Sequence, residues 1–277
     1  MSPRVLVACD LDRTLIYSAR SAALPPGFDR PVVCVERYAD ADQSFVTAAA
    51  LAGLVELSAR AEFVPATTRT QAQAERVRFP GVGVPRYQIV ANGGCVLVDG
   101  EPDAGWARAV ERAARADGAA PVGDVWREVL AWEREPWLLR PHRADDFFCY
   151  AIVDRSLLPE ERLAEIGAWS AARGWLTSVQ GRKLYVVPRS LSKAAAAAEV
   201  ARRAGADLVL AAGDSLLDRP LLQFADAAVR PGHGELATLD WTAPHLDVVA
   251  ESGMLAGERI VEWLLARTGR AVPAPTP

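Results

Sequence analysis

Val5-Leu6-Val7-Ala8-Cys9, followed by Asp10-Leu11-Asp12-Arg13-Thr14, is the stretch from which the rest of the chain is read. Five apolar residues in a row predict a strand buried on both faces, as in a parallel sheet. The two carboxylates come where that strand ends. In open α/β sheets ligands bind in the crevice beyond the carboxyl ends of the strands, so Asp10 and Asp12 stand where chemistry is expected. Asp is equally at home in turns and N-caps, and the pair alone leaves both uses open.

Outward from this stretch the pattern repeats. Glu62 to Ala66 reads as a second strand running into Thr67-Thr68-Arg69, with a polar helix expected beyond it. Asp207 to Ala211 reads as another, ending in Gly213-Asp214-Ser215-Leu216-Leu217-Asp218. Helices are expected from an N-cap at Ser44 to Arg60, from Ser192 to Arg203, from Leu216, and from Leu255 to Arg267. Strands alternating with helices in this way predict a parallel sheet. Gln88 to Ala91 and Cys95 to Val98 flank Asn92-Gly93-Gly94, a strong hairpin signal. Ser18 to Gln43, with one β-like patch at Pro31 to Val35, is a long connection of the kind that works as a lid or binding loop.

Between Gly100 and Pro188 the texture changes. Helices alternate with two hairpins, Trp137–Pro141 with Asp146–Val153 and Trp175–Val179 with Lys183–Val187, which predicts an antiparallel sheet with helices on one face. The expected fold class is therefore α/β, a Rossmann-like parallel-sheet core formed by residues 1–99 and 189–277, with an α+β module, 100–188, inserted into it. The module's tryptophans read as packing, with a sugar-stacking platform as the other use of such rings. Residues 271–277 read as a disordered tail.

Composition narrows the class of partner. The 277 residues are 51% hydrophobic and 24% charged, ordinary for a soluble globular enzyme. A net charge of -4 gives no reason to expect nucleic acid or an anionic membrane. Cys9, Cys34, Cys95 and Cys149 lack CxxC spacing and read as reduced residues. No apolar stretch is long enough for a signal peptide or membrane span, and a reducing cytoplasm is the expected address. His142, His233 and His245 are too dispersed for a transition-metal site.

Four places carry candidate chemistry. Asp10 and Asp12 can divide nucleophilic or metal-binding work from proton transfer. Thr67, Thr68 and Arg69 at a helix start form an anion site or a simple cap. Lys193 near a helix N-terminus opposes the macrodipole, which a phosphate or carboxylate partner would relieve, unless it is a solvated surface lysine. Asp214 and Asp218 join the first pair to make four acids, hard oxygen donors that suit Mg²⁺ held with waters and a substrate phosphate. Ser215 and Asp218 also have capping-box spacing.

Taken in order, DxDxT at Asp10 to Thr14, Thr67, Lys193 and GDxxxD at Gly213 to Asp218 resemble the four motifs of the haloacid dehalogenase-like (HAD) phosphatases, over nearly the whole chain. The inserted module resembles the C2-type cap of the Cof-like, type IIB branch, which includes sucrose-phosphate and mannosyl-phosphoglycerate phosphatases and the phosphomannomutases. The resemblance implies that Asp10 is the nucleophile, carried through an aspartyl phosphate. Asp12 would protonate the leaving oxygen and activate water, with a pKa raised by its carboxylate neighbours unless a metal outweighs them. Mg²⁺ would be held by Asp10, the Asp12 carbonyl and Asp214, with Asp218 as ligand or support. Thr67 and Lys193 would bind phosphoryl oxygens, and Asn92 matches an Asn-Gly step beside the substrate.

Two positions depart from the family pattern: Arg13 and Thr68 each replace a usual Gly. Substrate choice is expected from the cap, with Arg182 and Lys183 at the second hairpin and Arg140, His142 and Arg143 at the first. The expected function is Mg²⁺-dependent hydrolysis of a small phosphorylated metabolite, a sugar phosphate before others, by a monomer or homodimer. A phosphomutase and a non-enzymatic binding protein on the same fold are the alternatives.

Overall fold

A computed structural model of the chain describes residues 3–269. β1 (Val5–Cys9) leads to a hairpin of β2 (Val32–Tyr38) and β3 (Ala41–Thr47), then α1 (Ala48–Arg60), β4 (Glu62–Pro65) and one helical turn, α2 (Gln71–Ala74). β5 (Tyr87–Val90) and β6 (Cys95–Val98) form the expected hairpin, which β7 (Glu101–Pro102) extends. α3 (Ala104–Ala116) and α4 (Val122–Ala131) precede β8 (Leu138–Ala144) and β9 (Phe148–Val153). α5 (Glu160–Ala171) precedes β10 (Trp175–Gln180) and β11 (Lys183–Pro188). The chain closes with α6 (Lys193–Ala204), β12 (Leu208–Ala212), α7 (Arg219–Phe224), β13 (Ala227–Arg230), α8 (Glu235–Thr238), β14 (Leu246–Val248) and α9 (Met254–Thr268).

Among the described residues, β14, β13, β12, β1 and β4 lie in that order in one sheet, every neighbouring pair parallel. β1 is buried at all five positions because helices cover both faces. Val5, Val7 and Cys9 pack with Leu54 and Leu57 of α1 and Ile260 and Leu264 of α9. Leu6 and Ala8 pack on the opposite side with Ala197 and Val200 of α6 and Leu221 of α7. Two-sided burial explains the absence of polar alternation in this strand. The chain leaves β1 for β4 on one side and returns to β12 on the other, so a switch point opens at the carboxyl end of β1.

The second layer is an antiparallel sheet in the order β10, β11, β9, β8. One of its faces packs on Val129 of α4 and Ile166 of α5, with Trp132, Trp137 and Trp175 filling the space between. These rings are packing groups. The four cysteines are free, and among the described residues no helix is long and apolar enough to cross a membrane.

Several local expectations change. Ser44 does not cap α1. It lies in β3, and Thr47 is the cap, its Oγ1 accepting from the Ala50 N–H at 3.0 Å. In the long connection after β1 the β-like patch expected at Pro31 to Val35 is part of β2, which pairs with β3 as a hairpin, while the polar helix expected after Arg69 is only the single turn α2. The helix expected from Leu216 begins at Arg219. Residues 271–277 lie outside the described residues.

Gly93 shows how tightly the β5–β6 turn abuts the start of α6. It has φ +89°, and a Cβ there would meet the Ser192 carbonyl oxygen at 2.3 Å, whereas Gly100, at φ +88°, faces open space. Gly100→Ala is expected to cost about 1–2 kcal/mol from the left-handed backbone alone. Gly93→Ala should cost roughly 1–3 kcal/mol more through overpacking. Urea denaturation of the two variants checks the difference, and equal losses would show that the Ser192 contact is unimportant.

Candidate active site

Asp10, Asp214, Asp218 and Lys193 meet where β1 and β12 end and α6 begins. Parallel pairing sets Cys9 level with Ala212, so the residues that follow each strand emerge side by side. The Asp10 N–H donates to the Ala212 carbonyl at 2.9 Å. α6 starts at an N-cap, Ser192, and its first residue, Lys193, is 1% exposed. Its ammonium donates to Asp10 Oδ1 at 2.6 Å and to Asp218 Oδ1 at 2.5 Å. The carboxylates thus remove the objection to a cation at this helix start.

Asp218 is saturated from its own loop as well. Its Oδ2 accepts from the N–H groups of Asp214 and Ser215, at 3.2 and 3.0 Å, and from the Ser215 hydroxyl at 2.7 Å. With Lys193 on the other oxygen, Asp218 braces the loop and the lysine. Ligand oxygens of Asp10, Asp214 and Asp218 nevertheless lie within 4.8 Å of one another. Three buried carboxylates against one ammonium form a hard oxygen donor set with excess negative charge, which a divalent cation such as Mg²⁺ fits.

Asp12 is in a different electrostatic state from the one expected. Arg69 grips it with a two-pronged ion pair, Nε to Oδ2 at 2.8 Å and Nη2 to Oδ1 at 2.9 Å. Desolvation pushes the Asp12 carboxyl up, but Arg69, aided by Lys183 and Lys193, outweighs it and holds the group well below the usual carboxylate range. The expected upward shift is therefore corrected: a guanidinium, not a neighbouring carboxylate, dominates its surroundings. Arg69 donates its remaining N–H groups to Glu36, at 2.8 and 2.9 Å, and to the Gln73 carbonyl at 3.3 Å. Its donors are engaged by protein, so the free anion-binding guanidinium expected at position 69 is a structural clamp.

Glu36 had no sequence signal. It is 4% exposed at a bulge in β2 and also accepts from Ser44 at 2.6 Å and Arg76 at 3.2 Å. A bulge breaks strict alternation and turns an acid inward that the sequence pattern places no differently from its neighbours. The β2–β3 hairpin thereby reaches the site through Arg69.

Thr67 is buried, and its Oγ1 accepts from the Arg69 N–H at 3.1 Å. Thr68 donates to the Tyr185 hydroxyl at 3.3 Å, spanning the two layers. Asn92 is buried beside them; its amide N–H donates to the Leu191 carbonyl at 3.1 Å, and its Oδ1 has no hydrogen-bond partner among the described residues. Lys183 lies over the Tyr150 ring, 5.8 Å from its centroid. Arg182 is exposed at the hairpin tip and Arg143 pairs with Asp146, so neither joins the cluster.

Cross-strand register aligns His142, Tyr150 and Tyr185 across β8, β9 and β11. His142 stacks on Tyr150 with ring centroids 4.7 Å apart, and Tyr150 lies 5.6 Å from Tyr185. The tyrosines were not anticipated; alternation within the predicted hairpin strands was the available signal. Glu235, also not anticipated, ties the layers together. It accepts from the Ser178 hydroxyl at 2.7 Å, the Val179 N–H at 3.1 Å and the Leu216 N–H at 2.9 Å.

Arg13 occupies a left-handed conformation, φ 64°, which costs an L-residue about 1–2 kcal/mol. Its backbone is held by neighbours: its N–H donates to the Ile16 carbonyl, and its carbonyl accepts from the Tyr17 hydroxyl and His233 Nε2, all at 2.9 Å. His233 Nδ1 accepts from the Gly253 N–H at 3.2 Å, which leaves the proton on Nε2. The Arg13 side chain turns to Asp214, Nε to Oδ2 at 3.4 Å.

Burial pushes the Asp10 carboxyl up to about 7 against the pull of Lys193, and burial with the neighbouring acids raises Asp214 well above the usual range. At Asp10 and Asp214 the folded protein therefore binds more protons than the unfolded chain, and these carboxyls cost stability as pH rises from about 4 to about 7. With chelator present, the Tm of Asp214→Asn relative to wild type should increase from about pH 5 to about pH 7. A relative Tm that falls over this interval would contradict the upward shift at Asp214.

No protein-family profile matches the sequence, and no curated protein is significantly similar to it. Solved structures share its fold over nearly the full length. The sucrose-phosphatase of Synechocystis, determined with sucrose and phosphate, is 13% identical, covers 97% of this chain and 99% of its own, and gives a TM-score of 0.64. A HAD subclass IIB sugar phosphatase is 13% identical over 96% of this chain and 99% of its own, at a TM-score of 0.61. A trehalose-6-phosphate phosphatase related protein is 17% identical over 94% and 97%, at 0.55. At these identities the likeness is one of architecture: the chain has the capped α/β fold of the HAD subclass IIB phosphatases.

Proposed function

We propose that the protein is a Mg²⁺-dependent phosphomonoesterase that hydrolyses a small phosphorylated sugar through an aspartyl phosphate on Asp10. The observation that carries this reading is the buried convergence of Asp10, Asp214 and Lys193 at the switch point of the parallel sheet. Residues 1–99 and 189–277 form the catalytic core in this reading, and 100–188 the cap. Asp10 and Asp214 would hold the metal with the Asp12 carbonyl, while Asp218 supports Lys193. A cation held there would supply positive charge to the transferring phosphoryl group.

Asp10 attacks phosphorus as its ester bond to the sugar breaks, and Lys193, already against Asp10, offsets charge on the phosphoryl oxygens. Thr67 would add a hydroxyl for the phosphoryl oxygens, and Asn92, whose N–H donates to the Thr67 carbonyl at 2.9 Å, would lie beside the substrate. Asp12, kept ionised by Arg69, is suited to take the proton of the water that cleaves the aspartyl phosphate. Arg69 leaves Asp12 without a proton, so the proton that the leaving oxygen takes would come from a singly protonated phosphate monoester. The half-buried His142 and Tyr150 rings, backed by the buried Tyr185 and with Lys183 beside them, offer an apolar face and polar edges of the kind that bind a sugar. Free cysteines accord with work in a reducing cytoplasm, as a monomer or homodimer acting on a small molecule and not on nucleic acid or membrane.

Phosphate release with Mg²⁺ across phosphorylated sugars, polyols and nucleotides tests the reading. Hydrolysis should concentrate on sugar phosphates, and Asp10→Asn should retain less than about a hundredth of the wild-type rate. Turnover that survives this substitution would exclude covalent catalysis by Asp10. On the best substrate, Lys183→Ala should raise KM by roughly tenfold with a smaller change in kcat, as for loss of a contact made equally in the ground and transition states. An unchanged KM would remove Lys183 from the substrate site.

A further inference from the structure

We propose that Arg13 is a built-in counter-cation for Asp214, which a divalent metal must displace, so that loading of the site is gated by this guanidinium. The inference rests on the metal-dependent reading above and concerns its regulation. Lys193 is committed to Asp10 and Asp218, at 2.6 and 2.5 Å, which leaves Asp214 to the guanidinium of Arg13 at 3.4 Å. Asp214 is 3% exposed and stands among like charges, so a compensating cation matters more here than at a surface.

The side chain is not what shapes the loop. Ile16, Tyr17 and His233 hold position 13 through its backbone alone, in a conformation that glycine adopts more easily. The Arg13 Nε is buried and has no aligned hydrogen bond among the described residues, so charge without directional bonding holds it against Asp214. A cation bound by Asp214 meets a guanidinium already in place, and the two repel.

The guanidinium also has somewhere to go. The Arg13 side chain is 34% exposed, and its Nη1 lies 3.4 Å from where a Cβ on Gly181 would be, at the β10–β11 tip. Gly181 has no side chain to block movement toward the cap. Metal entry thus replaces the guanidinium beside Asp214 with a divalent cation and releases Arg13 toward the second layer.

Calorimetric titration of Mg²⁺ into the chelator-treated wild type and Arg13→Gly, Arg13→Gln and Arg13→Lys variants tests the gate without reference to turnover. Removal of the charge in the Gly and Gln variants should tighten Mg²⁺ binding by about tenfold, the scale of one close charge on an acid, while Lys stays within about threefold of wild type. Thermal unfolding in chelator verifies that each variant is folded. Equal affinity in all four proteins overturns the gate and leaves the metal site standing. Tightening in Gly but not in Gln also overturns it, since backbone freedom would then be responsible. Absence of Mg²⁺ binding from every folded protein removes the metal-dependent reading itself, and the gate with it.

Discussion

The ammonium of Lys193, sealed between Asp10 and Asp218, is the interaction on which the rest of the site depends. It joins three segments far apart in sequence: the end of β1, the first turn of α6 and the loop after β12. Breaking a buried pair by removing one partner costs about 3–5 kcal/mol, because the remaining charge stays in a dry place. That asymmetry holds the strand ends in register. The one lysine does not neutralise the three acids around it, and the remaining negative charge, which Arg13 offsets only in part, is what a metal would balance in the proposed reading.

A second set of ionic contacts surrounds this centre and involves residues outside the four motifs. Glu36 fixes Arg69, and Arg69 fixes Asp12, so the hairpin after β1 sets the orientation and ionisation of a carboxylate in the core. Glu235 does a comparable job for the second layer by bonding both β10 and the Asp214 loop. Thr68 and Tyr185 add a direct bond between the layers. The long connection and the bulky residue at position 68 thus have physical roles at the boundary where a substrate would lie.

Much of the architecture was legible because it depends on local chemistry. A strand buried on both faces shows as an unbroken apolar run, and Val5 to Cys9 is one. Asn92-Gly93 marked its hairpin because few residues accept left-handed backbone. The limits were equally physical. Ser44 and Thr47 both have hydroxyls able to cap a helix, and the pairing of β3 with β2 selected Thr47. The polar run after Arg69 has helix-forming residues but makes a single turn, because too few of them are paid for by packing.

From the sequence alone came the identity and order of the candidate groups: two acids after the first strand, a hydroxyl after the second, a lysine at a helix start and two acids after a later strand. Those assignments follow from residue type and strand ends, which are local. Tertiary structure alone decided which charges face each other. Asp12 is held ionised because Arg69, distant in sequence, reaches it, and Asp214 is paired to Arg13 because Lys193 is taken by Asp10 and Asp218. The ionisation of a carboxylate depends on the charges and water within a few ångströms of it, and only the folded chain sets those distances.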